Sequence, residues 1–395
     1  MKTSNLVALC GGTLALTLSL QAQATPAFAR SQGLPCAACH AAFPALNSFG
    51  RMYKARGYRL KDASENAKKS DFTTDISKFP IAAAIISRPY TKTGNGNGEI
   101  RAIHELEVFA GGILYRNLSG FFEIESESED GFGNVLGLAA INYDFNNAFH
   151  VQAAYGPTFF ADPYDTLSSS RRLTAAHYNV LNDTYGNADN ADKLRHSRQQ
   201  LSVFGRVLGD RLFYNVGVGG LTGDLVGNKS TVGFGRLAFD ITPNAMVGVF
   251  GLKGQCELGT AGVGTSTNCG GSTNARDFSR YGLDTQVDVG PVRVTGVYLR
   301  AKDDMVSSPL SETNDDAYIQ LAYFGTVNGD QIVPLLRYQT SEANDGNDKT
   351  NRYTVGLTYY FQENFKGSIE YSDDTSTPTG VKKDSDLTLQ LMAAF

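Results

Sequence analysis

The last four-fifths of the chain alternates between apolar and polar positions, in segments of roughly ten residues that are separated by turn signals. Between residues 118 and 128, for example, Phe122 and Ile124 fall on one face and Glu123 and Glu125 on the other. A period of two is typical of strands with one apolar and one polar face, and segments of this length suit strands that cross a membrane. The pattern therefore predicts an all-β transmembrane β-barrel.

The turn signals divide residues 79–395 into about sixteen antiparallel strands. The predicted strands lie at 79–90, 100–114, 118–128, 134–145, 147–159, 198–208, 211–222, 229–241, 244–254, 278–289, 291–302, 314–325, 331–341, 351–362, 365–374 and 385–395. Connections after even strands are tight, whereas most of those after odd strands are longer, as at 160–197. Short periplasmic turns alternate with long external loops in outer-membrane barrels. We therefore expect both ends of the barrel, and the start of the N-terminal segment, on the periplasmic side.

The composition agrees with a membrane protein rich in strands and excludes nucleic acid as a partner. Only 19% of the residues are charged and the net charge is -5, whereas nucleic-acid-binding proteins carry clustered basic surfaces. After the N-terminus, no apolar run approaches the ~20 residues that a membrane-spanning helix needs. Because a sixteen-stranded barrel leaves an aqueous lumen, we expect outer-membrane lipid around the protein and water inside it.

The N-terminus has the features of a secretory signal peptide, predicted at residues 1–24. Lys2 precedes the apolar stretch 6–20, and Ala22 and Ala24 form a small-x-small cleavage site. Export of this kind places the mature protein in a compartment where disulfides form.

The remaining cysteines predict two kinds of chemistry. Cys256 and Cys269 flank a loop rich in Gly, Thr and Ser and predict a disulfide, with metal binding as the alternative. Cys36, Cys39 and His40 form the Cys-x-x-Cys-His motif of c-type haem attachment, in which two thiols add to the haem vinyl groups and the imidazole binds the iron. A zinc site would need a second ligand pair, and a thioredoxin-like dithiol would need a βαβ context; the sequence shows neither.

The haem motif lies in a segment, residues 25–60, that is too short to shield a haem alone. Within it, residues 41–58 predict an amphipathic helix capped by Gly57, and a polar linker follows at 61–78. The segment falls below the ~40 residues at which a domain can bury enough surface without help. We therefore predict a small α-helical cytochrome segment that plugs the barrel and borrows its wall.

One face of the predicted helix would lie against the porphyrin. Its apolar residues are Leu46, Phe49, Met52 and Tyr53. We assign haem packing to Phe49 and Tyr53. Arg51 either reaches a haem propionate or is a solvated cation, and the sequence leaves this choice open.

Residues 24–58 contain Ala-Thr-Pro-Ala-Phe-Ala-Arg, Cys-x-x-Cys-His, Pro44, Leu46-Asn47, Phe49-Gly50-Arg51 and Gly57-Tyr58. These motifs, and the order of signal, single haem, linker and barrel, resemble the cytochrome–porin fusions of iron-oxidising bacteria. The resemblance implies an outer-membrane Fe(II) oxidase, an oxidoreductase that takes electrons from extracellular ferrous iron. One covalently bound haem c would pass them to a periplasmic carrier, a soluble cytochrome or a copper protein. The family implies Cys36 and Cys39 as thioether anchors and His40 as the proximal iron ligand.

The sixth iron ligand stays open among three residues. Met52 lies on the haem-facing helix, where it is either a ligand or a core residue. His150 and Met392 are both predicted to face the lumen near the periplasmic end of their strands. A thioether ligand would raise the reduction potential, as Met/His ligation does in cytochromes c.

Five carboxylates are predicted on the lumen face of two adjacent strands, at Glu105, Glu107, Glu123, Glu125 and Glu127. Hard oxygen ligands of this kind can hold Fe(II), so these residues form a candidate iron path. The alternative is the ordinary lining of a porin lumen, which sets charge selectivity. Two functions compete with iron oxidation: a passive porin with a structural haem-bearing plug, and a haem conduit for another extracellular donor or acceptor.

Overall fold

The computed structural model of the protein describes residues 27–60, 69–94, 96–129, 131–168, 173–182, 193–195, 197–220, 231–256, 276–304 and 310–395. The predicted signal peptide, 1–24, lies outside these residues, and so does Cys269 of the predicted disulfide. Both therefore stay predictions.

The N-terminal part combines short helices with a small hairpin. Its elements are α1 (Ala27–Gln32), a 3-10 turn (Cys36–Ala38), β1 (His40–Ala42), β2 (Ala45–Leu46), α2 (Ser48–Ala55) and a second 3-10 turn (Ile76–Lys78). A third helix, α3 (Asn179–Asn182), lies much later in the chain. None of the helices described here is long and apolar enough to cross a bilayer.

The strands that follow close into one antiparallel barrel. They are β3 (Ile81–Thr93), β4 (Glu99–Tyr115), β5 (Leu118–Glu127), β6 (Asn134–Asn146), β7 (Phe149–Pro157), β8 (Ser197–Val207), β9 (Leu212–Gly219), β10 (Val232–Thr242), β11 (Ala245–Cys256), β12 (Arg276–Val289), β13 (Val292–Asp304), β14 (Ser311–Tyr323), β15 (Gly325–Val327), β16 (Asp330–Ala343), β17 (Asp348–Gln362), β18 (Phe365–Ser376) and β19 (Ser385–Ala394). Both β14 and β15 pair with β16, so they are two parts of one strand. The predicted barrel of sixteen strands is confirmed.

The two faces of the barrel reverse the usual arrangement of a water-soluble protein. Large aliphatic side chains such as Leu106, Val108 and Ile141 are exposed on the outside. Arginines such as Arg236 and Arg280 are fully buried on the inside. An apolar outer band around a polar interior is what a barrel in a bilayer requires.

The connections follow the predicted alternation of short and long. Tight turns join β4 to β5, β6 to β7, β12 to β13 and β17 to β18, all at one end of the barrel. Exposed aromatic residues surround this short-turn end, among them Tyr143, Phe145 and Phe365. The C-terminal Phe395 completes the closure there, because its N–H and C=O both bond to the backbone of Ala83.

The connection between β7 and β8, which the sequence places outside the barrel, instead folds into the lumen. Phe159 and Tyr178 belong to an apolar cluster with inner-wall residues of β10 to β14. Arg236 of the wall binds Asp162 of this loop at 3.1 Å and Asp284 of β12 at 2.6 Å. Apolar side chains spread through a polar loop give no period that would show this inward fold in the sequence.

Residues 27–60, here called the plug, pack inside the short-turn end of the barrel. Barrel side chains bind plug backbone atoms in the pairs Gln331–Ala41, Tyr360–Phe43, Arg293–Leu46 and Glu363–Cys36. At the other end of the plug, Arg59 and Asp144 form a buried ion pair at 3.0 Å. All these barrel residues lie in or next to the strand ends at the short turns, which places the plug there.

We predict that Arg59→Met will loosen the plug. Removing one partner of a buried ion pair costs about 3–5 kcal/mol, because the other charge stays buried without its partner. Hydrogen exchange of the α2 amides should therefore quicken strongly. Arg56→Met is the matched control, since Arg56 forms a half-exposed pair with Asp210 whose loss should cost ~1 kcal/mol or less. Equal exchange in the two variants would contradict this account of plug attachment.

Candidate functional site

The haem motif sits directly on the N-terminus of α2. The N–H of Cys39 donates to the carbonyl of Cys36 at 3.1 Å, closing the 3-10 turn. Asn47 caps α2 by accepting from the N–H of Gly50 at 2.9 Å, and its side-chain amide donates to the carbonyl of Ala38 at 3.0 Å. One residue thus joins the motif to the helix and fixes their relative orientation.

Gly50 is required for this contact. A Cβ atom at this position would lie 2.1 Å from the carbonyl oxygen of Cys39. Any side chain would therefore push the second cysteine of the motif away from α2.

His40 has the hydrogen bond expected of an iron ligand. Its Nδ1 lies 3.1 Å from the carbonyl oxygen of Pro44. Metal-binding histidines usually donate the other ring N–H to a carbonyl or carboxylate, which fixes the tautomer. With Nδ1 as the donor, Nε2 is the nitrogen that would bind iron. Cys36, Cys39 and His40 thus fit a c-type haem, and their roles stay a prediction.

The helix after the motif is shorter than predicted. It begins at Ser48 rather than at Ala41, because the chain first forms the hairpin of β1 and β2. Pro44 lies between these two strands, after a cis peptide bond. The predicted cap at the other end is confirmed, since Gly57 has a φ of 64° in the left-handed region that glycine favours.

The side chains assigned to haem packing divide between two environments. Phe49 is 45% exposed on the plug surface. Tyr53 is buried in an aromatic cluster, with its ring centroid 5.7 Å from that of Phe28. Arg51 is buried, donates to the carbonyl of Pro243 at 3.0 Å and lies 3.6 Å from Asp288. The alternative of a solvated Arg51 is therefore wrong, because this cation binds the barrel wall.

His150 is not placed to be the sixth ligand of a haem held by the motif. Its Nδ1 is 2.8 Å from Asp144, and its ring stacks on Phe204. The plug reaches β17 beside His40, through Phe43, whereas His150 lies on β7, seven strands away around the ring. At ~4.8 Å between strands, this is about 34 Å of barrel wall.

Met392 is better placed than His150. It lies opposite Lys366 in the pairing of β18 with β19, so the two side chains share the lumen face, as predicted for Met392. Lys366 contacts Phe43, whose ring centroid is 5.3 Å from that of His40. Met52, on α2, is half-buried and stays a candidate.

The five predicted lumen carboxylates lie on one face of β4 and β5. Glu105 is directly opposite Glu127, and Glu107 is opposite Glu125. Carboxylate oxygens of Glu105, Glu125 and Glu127 lie within 4.8 Å of one another, close enough to hold one metal ion. Like charges placed directly opposite each other repel, and a bound cation would relieve that repulsion.

A polar cavity of about 480 Å³ occupies the lumen towards the long-loop end. Its wall is formed by β3, β16 to β19 and the inward loop, and its charged residues are Arg88, Arg352, Glu370, Asp374 and Asp386.

The comparisons with known proteins concern the barrel. A family model described as phosphate-selective porin O and P matches residues 334–395, which run from β16 to β19. No curated protein matches the sequence.

Solved structures match over most of the chain. The trimer form of OmpT from Vibrio cholerae matches with a TM-score of 0.56 and 12% identity, over 80% of this chain and 98% of that one. The anion-selective porin from Comamonas acidovorans matches with a TM-score of 0.57 and 12% identity, over 80% and 98%. OmpF of Salmonella typhi, in complex with daunomycin, matches with a TM-score of 0.55 and 14% identity, over 80% and 97%. The barrel has the fold of an outer-membrane porin.

Sequence reasoning missed the wall residues that hold the motif. Glu363 lies in a tight turn and accepts from the N–H of Cys36 at 3.0 Å. Lys366 follows in β18 and contacts Phe43. A charged residue next to a turn is ordinary in a barrel, so the sequence contained no signal that marks these two.

The Cys36 thiol in the haem-free protein should be a poor nucleophile at neutral pH. Burial, together with the neighbouring Glu363 carboxylate, raises the pKa of Cys36 from 9.0 to about 11. At pH 8 the native protein should hold about a hundredfold less Cys36 thiolate than the denatured chain. Alkylation by iodoacetamide, followed by mass spectrometry, should keep accelerating up to pH 11 in the native protein and level off above pH 9 in denaturant. Identical pH profiles would contradict the buried setting of Cys36.

Proposed function

We propose that the protein is an outer-membrane electron-transfer protein whose plug carries one covalently bound haem c. Fe(II) would enter the barrel from outside and leave as Fe(III), and the haem, when bound, would supply the acceptor for the one electron released. A periplasmic carrier, a soluble cytochrome or a copper protein, then takes the electron. The porin fold supports the outer-membrane location, and the position of the plug supports a haem near the periplasmic side.

The main support for this proposal is one row of side chains across the barrel wall. Met392, Ile86, Glu105 and Glu127 are successive cross-strand neighbours on β19, β3, β4 and β5, and so share the lumen face. The carboxylate cluster thus lies two strands from Met392, or ~10 Å along the wall. Met392 in turn lies beside the residue that contacts the plug at Phe43. An iron ion at the carboxylates would be close to a haem held by the motif.

Different residues of the chain would hold the haem and the iron ion. The haem, when bound, supplies an iron that accepts and releases one electron. Cys36 and Cys39 would anchor it, and His40 Nε2 would hold the iron. Glu105, Glu125 and Glu127 would hold Fe(II) through hard oxygen atoms.

A passive porin-like channel is the second candidate, and the comparisons favour it, since the matched proteins are porins. In this case the plug would serve to narrow the lumen. Cys36→Ala separates the two functions, because a passive channel would change at most in permeability whereas an electron-transfer protein would lose its redox activity.

We predict that replacing Glu105, Glu125 and Glu127 together by Gln will slow reduction of the ferric haem by Fe(II). A cluster of negative charges in a cleft raises the local concentration of cations. Removing these charges should therefore lower the second-order rate constant for haem reduction by Fe(II) at least about tenfold. Stopped-flow absorbance of the purified protein measures this rate.

Glu342→Gln is the control for this variant, since Glu342 pairs with Lys349 on the exposed part of the barrel. A neutral reductant should reduce the haem at the same rate in the wild-type protein, the triple variant and Glu342→Gln. An unchanged rate with Fe(II) in the triple variant would rule out the carboxylates as the iron site.

We also propose Met392 as the sixth ligand. Met392→Ala should then lower the haem reduction potential, because Met/His ligation raises it in c-type cytochromes. Met52→Ala, its matched control in the plug, should leave the potential unchanged. A redox titration followed by absorbance distinguishes them, and the reverse result would assign the ligand to Met52.

A further inference from the structure

Lys366 is a buried cation with few partners. It is the second residue of β18, points into the lumen, and only 8% of its surface is exposed. Its Nζ donates to the carbonyl of Phe43 at 3.3 Å and lies 5.7 Å from the ring of Phe43 and 5.9 Å from that of Tyr360. The same carbonyl also accepts from the Tyr360 hydroxyl at 2.6 Å, so the ammonium shares the one acceptor that it has among the described residues.

Most other buried cations of the lumen are paired with carboxylates. The pairs are Arg59–Asp144, Arg206–Asp240, Arg236–Asp284, Arg280–Asp303 and Arg293–Asp165. Arg337 has no carboxylate partner among the residues that the structure describes, but it donates to the carbonyls of Ala176 and His177. Within the described part of the chain, no carboxylate lies within 4.0 Å of Lys366 Nζ.

Burial of the Lys366 ammonium is unfavourable unless an anion binds beside it. An ammonium has three donors, and burying a charge without a counter-charge is strongly unfavourable. The Glu107 carboxylate attracts the Lys366 ammonium electrostatically, but from a longer distance than an ion pair. The site therefore favours an acidic group that comes from outside the polypeptide.

The surroundings of Lys366 indicate which acidic group this is. The ring of Phe43, which Lys366 contacts, lies 5.3 Å from the ring of His40. The cross-strand neighbours on the lumen face, Met392 and then Ile86, are apolar. An apolar wall with a single buried cation, next to the predicted iron ligand His40, matches a flat apolar macrocycle that carries carboxylates at its edge.

We propose that Lys366 binds a propionate of the haem attached at Cys36 and Cys39. This replaces the assignment of Arg51, whose guanidinium is already bound to Pro243 and Asp288. The proposal rests on the presence of the haem, but not on Fe(II) as its electron donor.

Lys366→Gln and Lys366→Arg test the proposal through the haem reduction potential. A nearby positive charge favours the reduced haem. Lys366→Gln should therefore lower the equilibrium constant for haem reduction about tenfold, which lowers the potential by ~59 mV for one electron. Lys366→Arg keeps the charge and should keep the potential within a small part of that shift. Lys382→Gln, a change of an exposed lysine in the loop before β19, is the control and should have no effect.

A second measurement starts from the wild-type protein, so its first result does not depend on the folding of a variant. Resonance Raman spectra of the wild-type protein report hydrogen bonding to the haem propionates through their bending vibration. A band typical of a hydrogen-bonded propionate, which shifts in Lys366→Gln, supports the proposal. A band typical of free propionates, or an unchanged potential in Lys366→Gln, overturns it. Absence of covalent haem from the wild-type protein would instead overturn the proposed function itself.

Discussion

The structure depends on one constraint: the plug is too small to bury its own interior. A segment below ~40 residues cannot remove enough apolar surface from water to fold alone. The barrel supplies what is missing, through side chains that bind the plug backbone and through the buried pair of Arg59 with Asp144. The position of the haem motif is therefore set by the wall as much as by the plug.

This dependence explains why the site is built from distant parts of the sequence. The motif provides Cys36, Cys39 and His40, and the turn before β18 brings Glu363 to the amide of Cys36. Lys366 and Met392 join them because β18 and β19 pair beside the plug. The comparisons establish the porin fold of the barrel, and the plug geometry supports the proposed redox function.

The sequence predicted the barrel well because strands that face water on one side and lipid on the other alternate with a period of two. The sixteen strands and the alternation of short and long connections are both confirmed. The inward fold of the loop after β7 could not be predicted, since it depends on contacts with strands far along the chain. The same holds for the site: local spacing identified the haem motif, but only the ring order shows that His150 is remote and that Met392 is near.

The central claim is that iron outside the membrane reduces a haem held at the periplasmic end of the barrel. The most direct measurement uses the wild-type protein in liposomes, oriented with its long loops outwards and with an oxidised acceptor protein trapped inside. Fe(II) added outside should reduce the ferric haem within seconds, and the trapped acceptor should become reduced without entry of iron. A ferric haem spectrum that stays unchanged over minutes, while ions pass through the barrel, would contradict the account and leave a passive channel.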